Sequence, residues 1–513
     1  MKFIQGFDRN QIQFFAYEQL ISEDNDVRLI DAFVGSLNLG DCGFKIDFVD
    51  NGRPAYHPSV LIKLYLYGYL NRIRSSRALE KECSRNIEVM WLLRGLSPDH
   101  NTISNFRRDN AKAIRNVFRS TVRLAQNFDL IGGKLLAGDG TKLRAQNSKK
   151  NNFNQSKIDK HIAYIDRKLE EYNALLGTED GDNLNPEQKK DFTENIDKHQ
   201  ERRKKYEALQ EQLNSTYEKQ ISTSDPDSRL LMLRNNITEV SYNVQTTVDS
   251  KHSLCIDYKV TNHNDAHAMG NMLRRAKSIL NHKEFTVLYD KGYHTGSQLS
   301  YADNLGIKTL VAITATASHA PDLNYDIEHF TYNAPEDNYT CPQGQTLSTN
   351  GKWYTKDRTS SSVQVKHYKT DKCLSCSVFA KCTKNKAGRL LERSQYQANI
   401  DNNARRMEQN KQTYKRRQAI VEHPIGIVKR QWDFYYIMTK KTIKRASGDV
   451  GLIFSAFNLR RIFNILDKDT LKAYLRTLAF VFRTTKAYFK LQSAFIFLPR
   501  NYSTIFSISQ LAA

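Results

Sequence analysis

The chain contains no run of about 18 or more apolar residues, the length a helix needs to cross a bilayer, so its sequence predicts no membrane span. Its N-terminus, MKFIQGFDRNQ, lacks the apolar segment of a signal peptide, which predicts a cytosolic protein. Cysteine is scarce. Seven in 513 residues are too few for a disulfide scaffold, and four of them cluster after residue 340. Acid is short against base: 55 Asp and Glu stand against 77 Lys and Arg, a formal net charge of +22. That imbalance favours a polyanionic partner such as DNA, RNA or an anionic membrane, bound in a salt-sensitive way. A chain of this length predicts more than one domain.

Because acids are in the minority, their placement is informative. Lys134 to Leu143, KLLAGDGTKL, is a short apolar run that ends on one carboxylate, Asp139, between two glycines. Such a run predicts a strand buried on both faces. An acid at its end either is held by a cation or a positively charged partner, or caps a turn made by Gly138 and Gly140. Phe285 to Tyr293, FTVLYDKGY, repeats the design, with Asp290 after a β-branched and aromatic strand. A third acid, Glu422, sits in the basic helical segment YKRRQAIVEHPIGIVKRQWDF, Tyr414 to Phe434. Asp249, Asp257 and Asp265 lie between Asp139 and Asp290; Asp249 reads as a turn residue and Asp257 as pointing outward from its strand.

Along the chain, residues 1–130 read as helical. Ser97-Pro98-Asp99 predicts a helix start. The helix that follows carries Asn101, Thr102, Ser104, Asn105, Arg107 and Arg108, so helix, tight turn and polar-basic helix suggest a helix-turn-helix-like module reading DNA; an ordinary bundle with a solvated face is the alternative. Ile158, Ile162, Ile165, Leu169, Tyr172 and Leu176 recur at spacings of four and three, and a second charged helix carries Ile196, Tyr206, Leu209, Leu213 and Tyr217, predicting an inserted helical hairpin over 155–222. Thr238 to Thr261 reads as two strands turning at Asp249-Ser250-Lys251, followed by helix, strand, helix and the strand KTLVAI. Residues 316–395 change composition and hold Cys341, Cys373, Cys376 and Cys382. One Cys-x-x-Cys plus two further cysteines in a cytosolic chain makes structural zinc a candidate, against reduced thiols in a small β-domain. Ile443 to Phe482 predicts a core-packing helix, and the tail 483–513 has no assigned role.

The segments around Asp139, Asp290 and Glu422, in that order, resemble the catalytic core of a DDE-type insertion-sequence transposase of the group with a cysteine-bearing insertion before its last glutamate. The likeness spans nearly the whole chain. It implies an α/β RNase H-like catalytic core with a helical insertion, preceded by an all-α helix-turn-helix-like N-terminal domain. The core would comprise 131–315 and 396–482, split by the cysteine-bearing insertion. The resemblance further implies that Asp139, Asp290 and Glu422 hold two divalent metals, Mg2+ or Mn2+, and that the protein binds transposon ends and target DNA in a bacterial, nucleoid-associated setting. Pairing two DNA ends implies a homodimer in the DNA complex. Tyr414, Arg417 and Lys429 resemble the family's tyrosine, arginine and lysine around the glutamate, with Arg417 and Lys429 expected at DNA phosphates. Glu422 and Lys429 are close to one helical face, and Pro424 predicts a local kink. Two other readings stand beside this one: a non-catalytic DNA-binding protein derived from such an element, and a nuclease that cuts without joining.

Overall fold

The computed structural model describes residues 14–46, 54–177, 186–216, 218–233, 237–281, 284–314, 320–358 and 361–496, together with residues 10 and 12. Tyr217 and the end of the tail lie outside the described residues.

Among the described residues six α-helices precede the first strand: α1 (Asp26–Gly35), α2 (Pro58–Leu70), α3 (Ser76–Arg85), α4 (Ile87–Leu93), α5 (His100–Asp109) and α6 (Ala111–Asn127). Strand β1 (Leu135–Arg144) follows. A two-stranded clip, β2 (Asn152–Phe153) with β3 (Ile221–Ser222), closes the base of a hairpin of α7 (Gln155–Leu176) and α8 (Pro186–Thr216). Ile158 and Leu213 are buried at that base with Phe153 and Ile221. The main sheet continues with β4 (Arg229–Met232), β5 (Thr238–Asp249), β6 (Cys255–Thr261), β7 (Thr286–Tyr289) and β8 (Lys308–Val311), with α9 (Met269–Leu280) and α10 (Gly296–Asn304) between the later strands. Across the sheet β6, β5, β1, β7 and β8 are neighbours, and β4 shares the β6 edge of β5. β5 runs antiparallel to β1, whereas β7 and β8 run parallel to it. This mixed α/β arrangement fits an RNase H-like core.

A second sheet, β9 (Thr331–Asn333), β10 (Asn338–Thr340), β11 (Thr346–Arg358), β12 (Ser361–Lys369) and β13 (Leu391–Ser394), is wholly antiparallel and carries the four clustered cysteines on its connections and on the short helix α11 (Phe379–Cys382). The chain then forms α12 (Gln397–Gln409), α13 (Lys411–Gly426), a π-helical turn (Ile427–Gln431), α14 (Ile443–Ile465) and α15 (Lys468–Ile496).

α14 is the central pillar. Almost every residue from Ala446 to Leu459 is buried, and one continuous core joins α14 to the N-terminal helices and to one face of the sheet. At its heart Asp449 is fully buried and pairs with Arg74 at 2.7 Å and Arg107 at 3.5 Å. It also accepts hydrogen bonds from the Tyr69 hydroxyl and from the backbone of Met438. Arg107 therefore faces inward and is only 4% exposed, which corrects its assignment as a DNA contact. The burial follows helix periodicity: Ile103, Phe106 and Arg107 share the inner face of α5, leaving Asn101, Asn105 and Arg108 outside. Asp99, not the residues before it, caps this helix by accepting from the Asn101 and Thr102 amides.

Two further expectations change. Asp139 does not end its strand: β1 continues five residues beyond it, and Gly138 and Gly140 are strand residues paired with Thr247 and Gln245. Asp257 does not point outward but is buried against Arg275, with both guanidinium contacts at 2.5 Å. Asp249 ends β5 as a buried cap, accepting from the amides of Gly132, Gly133 and Lys251.

Candidate active site

β1 and β7 pair in parallel with Leu135 opposite Thr286 and Ala137 opposite Leu288. Extending that register by two residues sets Asp139 beside Asp290, with neighbouring strands about 4.8 Å apart. The apolar residues before each acid explain why the pair forms. Ala137, Leu288, Val248 and Leu310 are buried beneath α13 and hold the two strands together up to the acids.

Asp139 is half-buried. Its Oδ1 accepts from the Gly140 amide at 2.9 Å, and the Arg417 guanidinium lies 3.9 Å from Oδ2. Burial pushes its carboxyl up to about 6; Arg417 pulls the other way, while Asp290 and Asp265 add repulsion. Asp290 follows β7 and caps the turn Lys291–Tyr293 by accepting from the Gly292 amide at 2.9 Å.

α13 lies over this face of the sheet. The Tyr414 hydroxyl donates to the Tyr289 carbonyl at 3.0 Å, and Arg417, one turn later, reaches Asp139. Ile420 and Val421 fill the apolar patch below. Glu422 is on the exposed side and accepts from Gln418 at 3.1 Å. The structure thus brings Asp139, Asp290, Arg417 and Tyr414 together and leaves Glu422 on the same helix turned outward. Pro424 is buried near the end of α13, and the chain passes into the π turn directly after Gly426. That turn changes the register between Glu422 and Lys429. Lys429 donates to Thr141 Oγ1 at 3.2 Å and to the Lys142 carbonyl at 2.9 Å, clamping the far half of β1.

On the opposite face of β1, Asp265 receives Asn243 Nδ2 at 2.8 Å, Gln245 Nε2 at 2.7 Å and Lys142 Nζ at 3.0 Å. Burial opposes its charge, yet Lys142 and the two amides hold its carboxyl below the usual carboxylate range. Sequence reasoning assigned these partners no role. The signal was present in β5, where Asn243, Gln245 and Thr247 are buried polar residues at alternate positions of a strand that also carries the core residues Val240, Tyr242, Val244 and Val248.

Of the helix proposed for DNA, Asn101 is exposed, Thr102 bonds to Asp99 Oδ2 at 2.6 Å, Ser104 bonds to the Asn101 carbonyl, and Arg108 pairs with Asp109. In the second sheet Cys341, Cys373, Cys376 and Cys382 all line one apolar cavity of about 30 Å³ with Phe330, Leu347 and Phe379. Burial raises the Cys382 thiol. Among the described residues no three metal-capable side chains already stand in a ligating array. The donor chemistry of both places nevertheless suits a cation: paired carboxylates with surplus negative charge for a hard ion, and four thiols at one cavity for a soft one.

Two acids on adjacent parallel strands of an α/β sheet, with a basic helix laid over them, form an arrangement that can hold a cation next to a phosphate. Two family models match parts of the chain. Residues 15–109 match the Transposase domain (DUF772) family and residues 340–463 match the Transposase DDE domain family, and together these support a DDE-type insertion-sequence transposase. The second match contains the four cysteines, Tyr414, Arg417, Glu422 and Lys429; Asp139 and Asp290 lie outside both. A solved piggyBac transposase synaptic complex with hairpin DNA aligns at 9% identity over 88% of this chain and 78% of that one, with a TM-score of 0.30. No curated protein matches.

Proposed function

We propose that this transposase binds the terminal inverted repeats of an insertion sequence, nicks them and joins the freed 3′-hydroxyl to target DNA. The observation that carries the reading is the parallel register of β1 and β7, which continued by two residues brings Asp139 beside Asp290, with the half-buried Asp139 carboxyl raised first by burial and also by that neighbour. Asp139 and Asp290 would hold Mg2+ or Mn2+, and Glu422, on the exposed side of α13 in this structure, is the proposed third carboxylate. The chemistry such ions would supply there is activation of a water or hydroxyl nucleophile and stabilisation of the leaving oxygen. Arg417 neutralises Asp139 and stands ready for a phosphate, Tyr414 ties α13 to the end of β7, and Lys429 fixes β1 from its other half. Asn101, Thr102, Ser104 and Arg108 remain the DNA-reading set proposed on α5, and a net charge of +22 supplies the electrostatic attraction. The working form is a homodimer in the DNA complex.

The test is nicking and strand transfer on DNA carrying the element's own ends, comparing wild type with D139A, D290A and E422A. Wild type is expected to cut and join, and each variant to bind the ends without cutting. Cutting without joining by wild type would make it a nuclease, binding alone would make it a relic, and normal cutting by E422A would remove the third carboxylate.

The cavity shared by Cys341, Cys373, Cys376 and Cys382 supports a second element of the proposal, a structural zinc. Native mass spectrometry is expected to show one zinc per chain, lost in C373S/C376S. A zinc-free wild-type chain that keeps its insertion folded would discard this element.

A further inference from the structure

Asp265 lies opposite the catalytic face and contacts neither Asp139 nor Asp290 directly, yet its bonds reach the segments that carry both. Paired residues of neighbouring strands share a face. Gly140 is opposite Gln245 and Lys142 opposite Asn243, so these four present one surface, and Asp265 sits on it. A Cβ on Gly140 would stand only 2.1 Å from Asp265 Oδ1, so the carboxylate lies flat against the backbone of the residue following Asp139. Oδ1 accepts from Asn243 and Gln245, and Oδ2 from Lys142. The other end of the Gln245 amide accepts the Tyr293 hydroxyl at 2.5 Å. Tyr293 is buried and belongs to the turn that Asp290 caps. One chain of hydrogen bonds therefore runs from the β1 segment beside Asp139, through Asp265 and Gln245, to the turn beside Asp290. Three of the roughly four acceptor positions of the Asp265 carboxylate are filled by this protein's own donors, which suits an anchor rather than a metal ligand.

We propose that Asp265 is a positioning residue: acting through Gly140, Lys142, Gln245 and Tyr293, it sets the relative placement of Asp139 and Asp290 and so the affinity of their site for a divalent cation. The proposal rests on the reading of Asp139 and Asp290 as the metal-holding pair. Partners behind metal ligands are typically worth roughly 10- to 100-fold in affinity or activity.

The experiment measures Mn2+ binding to the full chain by electron paramagnetic resonance, with thermal melting and end-DNA binding on the same samples, for wild type, D139N, D265N and Y293F. D139N is expected to abolish the site. D265N is expected to weaken Mn2+ binding about tenfold while still melting cooperatively and binding DNA, and Y293F, which deletes one hydroxyl, to weaken it several-fold. Wild-type Mn2+ affinity in a folded D265N overturns the proposal. If D265N does not fold, Y293F decides, and unchanged affinity there overturns it. Unchanged Mn2+ binding in D139N instead sinks the metal-pair reading on which the proposal stands.

Discussion

Asp139 is held in an environment that suits its proton better than its charge. Its folded carboxyl titrates near 6, above the 3.8 of a free aspartate, because burial and Asp290 outweigh Arg417. The folded chain therefore holds this proton more tightly than the unfolded chain, and without metal the contribution of Asp139 to stability falls as pH rises from about 4 through about 6. D139N removes that dependence. Melted without metal at pH 7, it is expected to be more stable than wild type by about 1–3 kcal/mol, the gap closing toward pH 4; a D139N chain that melts earlier at pH 7 would contradict this. The flanking glycines answer to a different constraint. A Cβ at Gly138 would stand 2.1 Å from the Tyr289 ring, which belongs to the neighbouring strand and has nowhere to go. G138A is expected to lose about 1–3 kcal/mol in denaturant melts, the usual penalty of overpacking. In the sequence the two glycines look like turn residues; only the neighbours that press on them reveal close packing within a strand.

At the scale of elements, α14 carries a fully buried ionic tie to the N-terminal helices. Asp449 is buried against two guanidinium groups, which, with Tyr69 and the Met438 amide, hold its carboxyl below the usual range despite burial. Losing one partner of a buried pair leaves the others unpaired, so D449A is expected to cost about 3–5 kcal/mol in equilibrium unfolding, far more than a surface pair such as Arg108 with Asp109. The start signal Ser97-Pro98-Asp99 predicted the helix α5 itself. It did not reveal that Arg107 faces inward, because its partner lies over three hundred residues away on α14. In α13 a similar limit applies: a seven-residue spacing puts Glu422 and Lys429 near one face of a straight helix, and the π turn after Gly426 breaks that relation.

Across the whole molecule the excess of basic side chains stands beside one continuous core linking N-terminal helices, sheet and α14. End-DNA binding is expected to weaken by orders of magnitude between 50 and 200 mM salt, as counterion release requires for a protein making several phosphate contacts. A slope near zero in a plot of log affinity against log salt would leave the positive charge without its proposed partner.

What the sequence by itself determined is what local chemistry encodes. The succession of strand, helical insertion, strand pair, helix, strand, helix and strand from residue 134 onward follows from periodicity and turn residues, and each strand-borne aspartate stands out because an apolar run leads into it. The tertiary structure alone decided which distant groups meet: the parallel register that sets Asp139 beside Asp290, the inward turn of Arg107, and the Asp265 network behind the glycine strand. Those depend on strand pairing and packing between segments far apart in the chain, and no local pattern of residues carries that information.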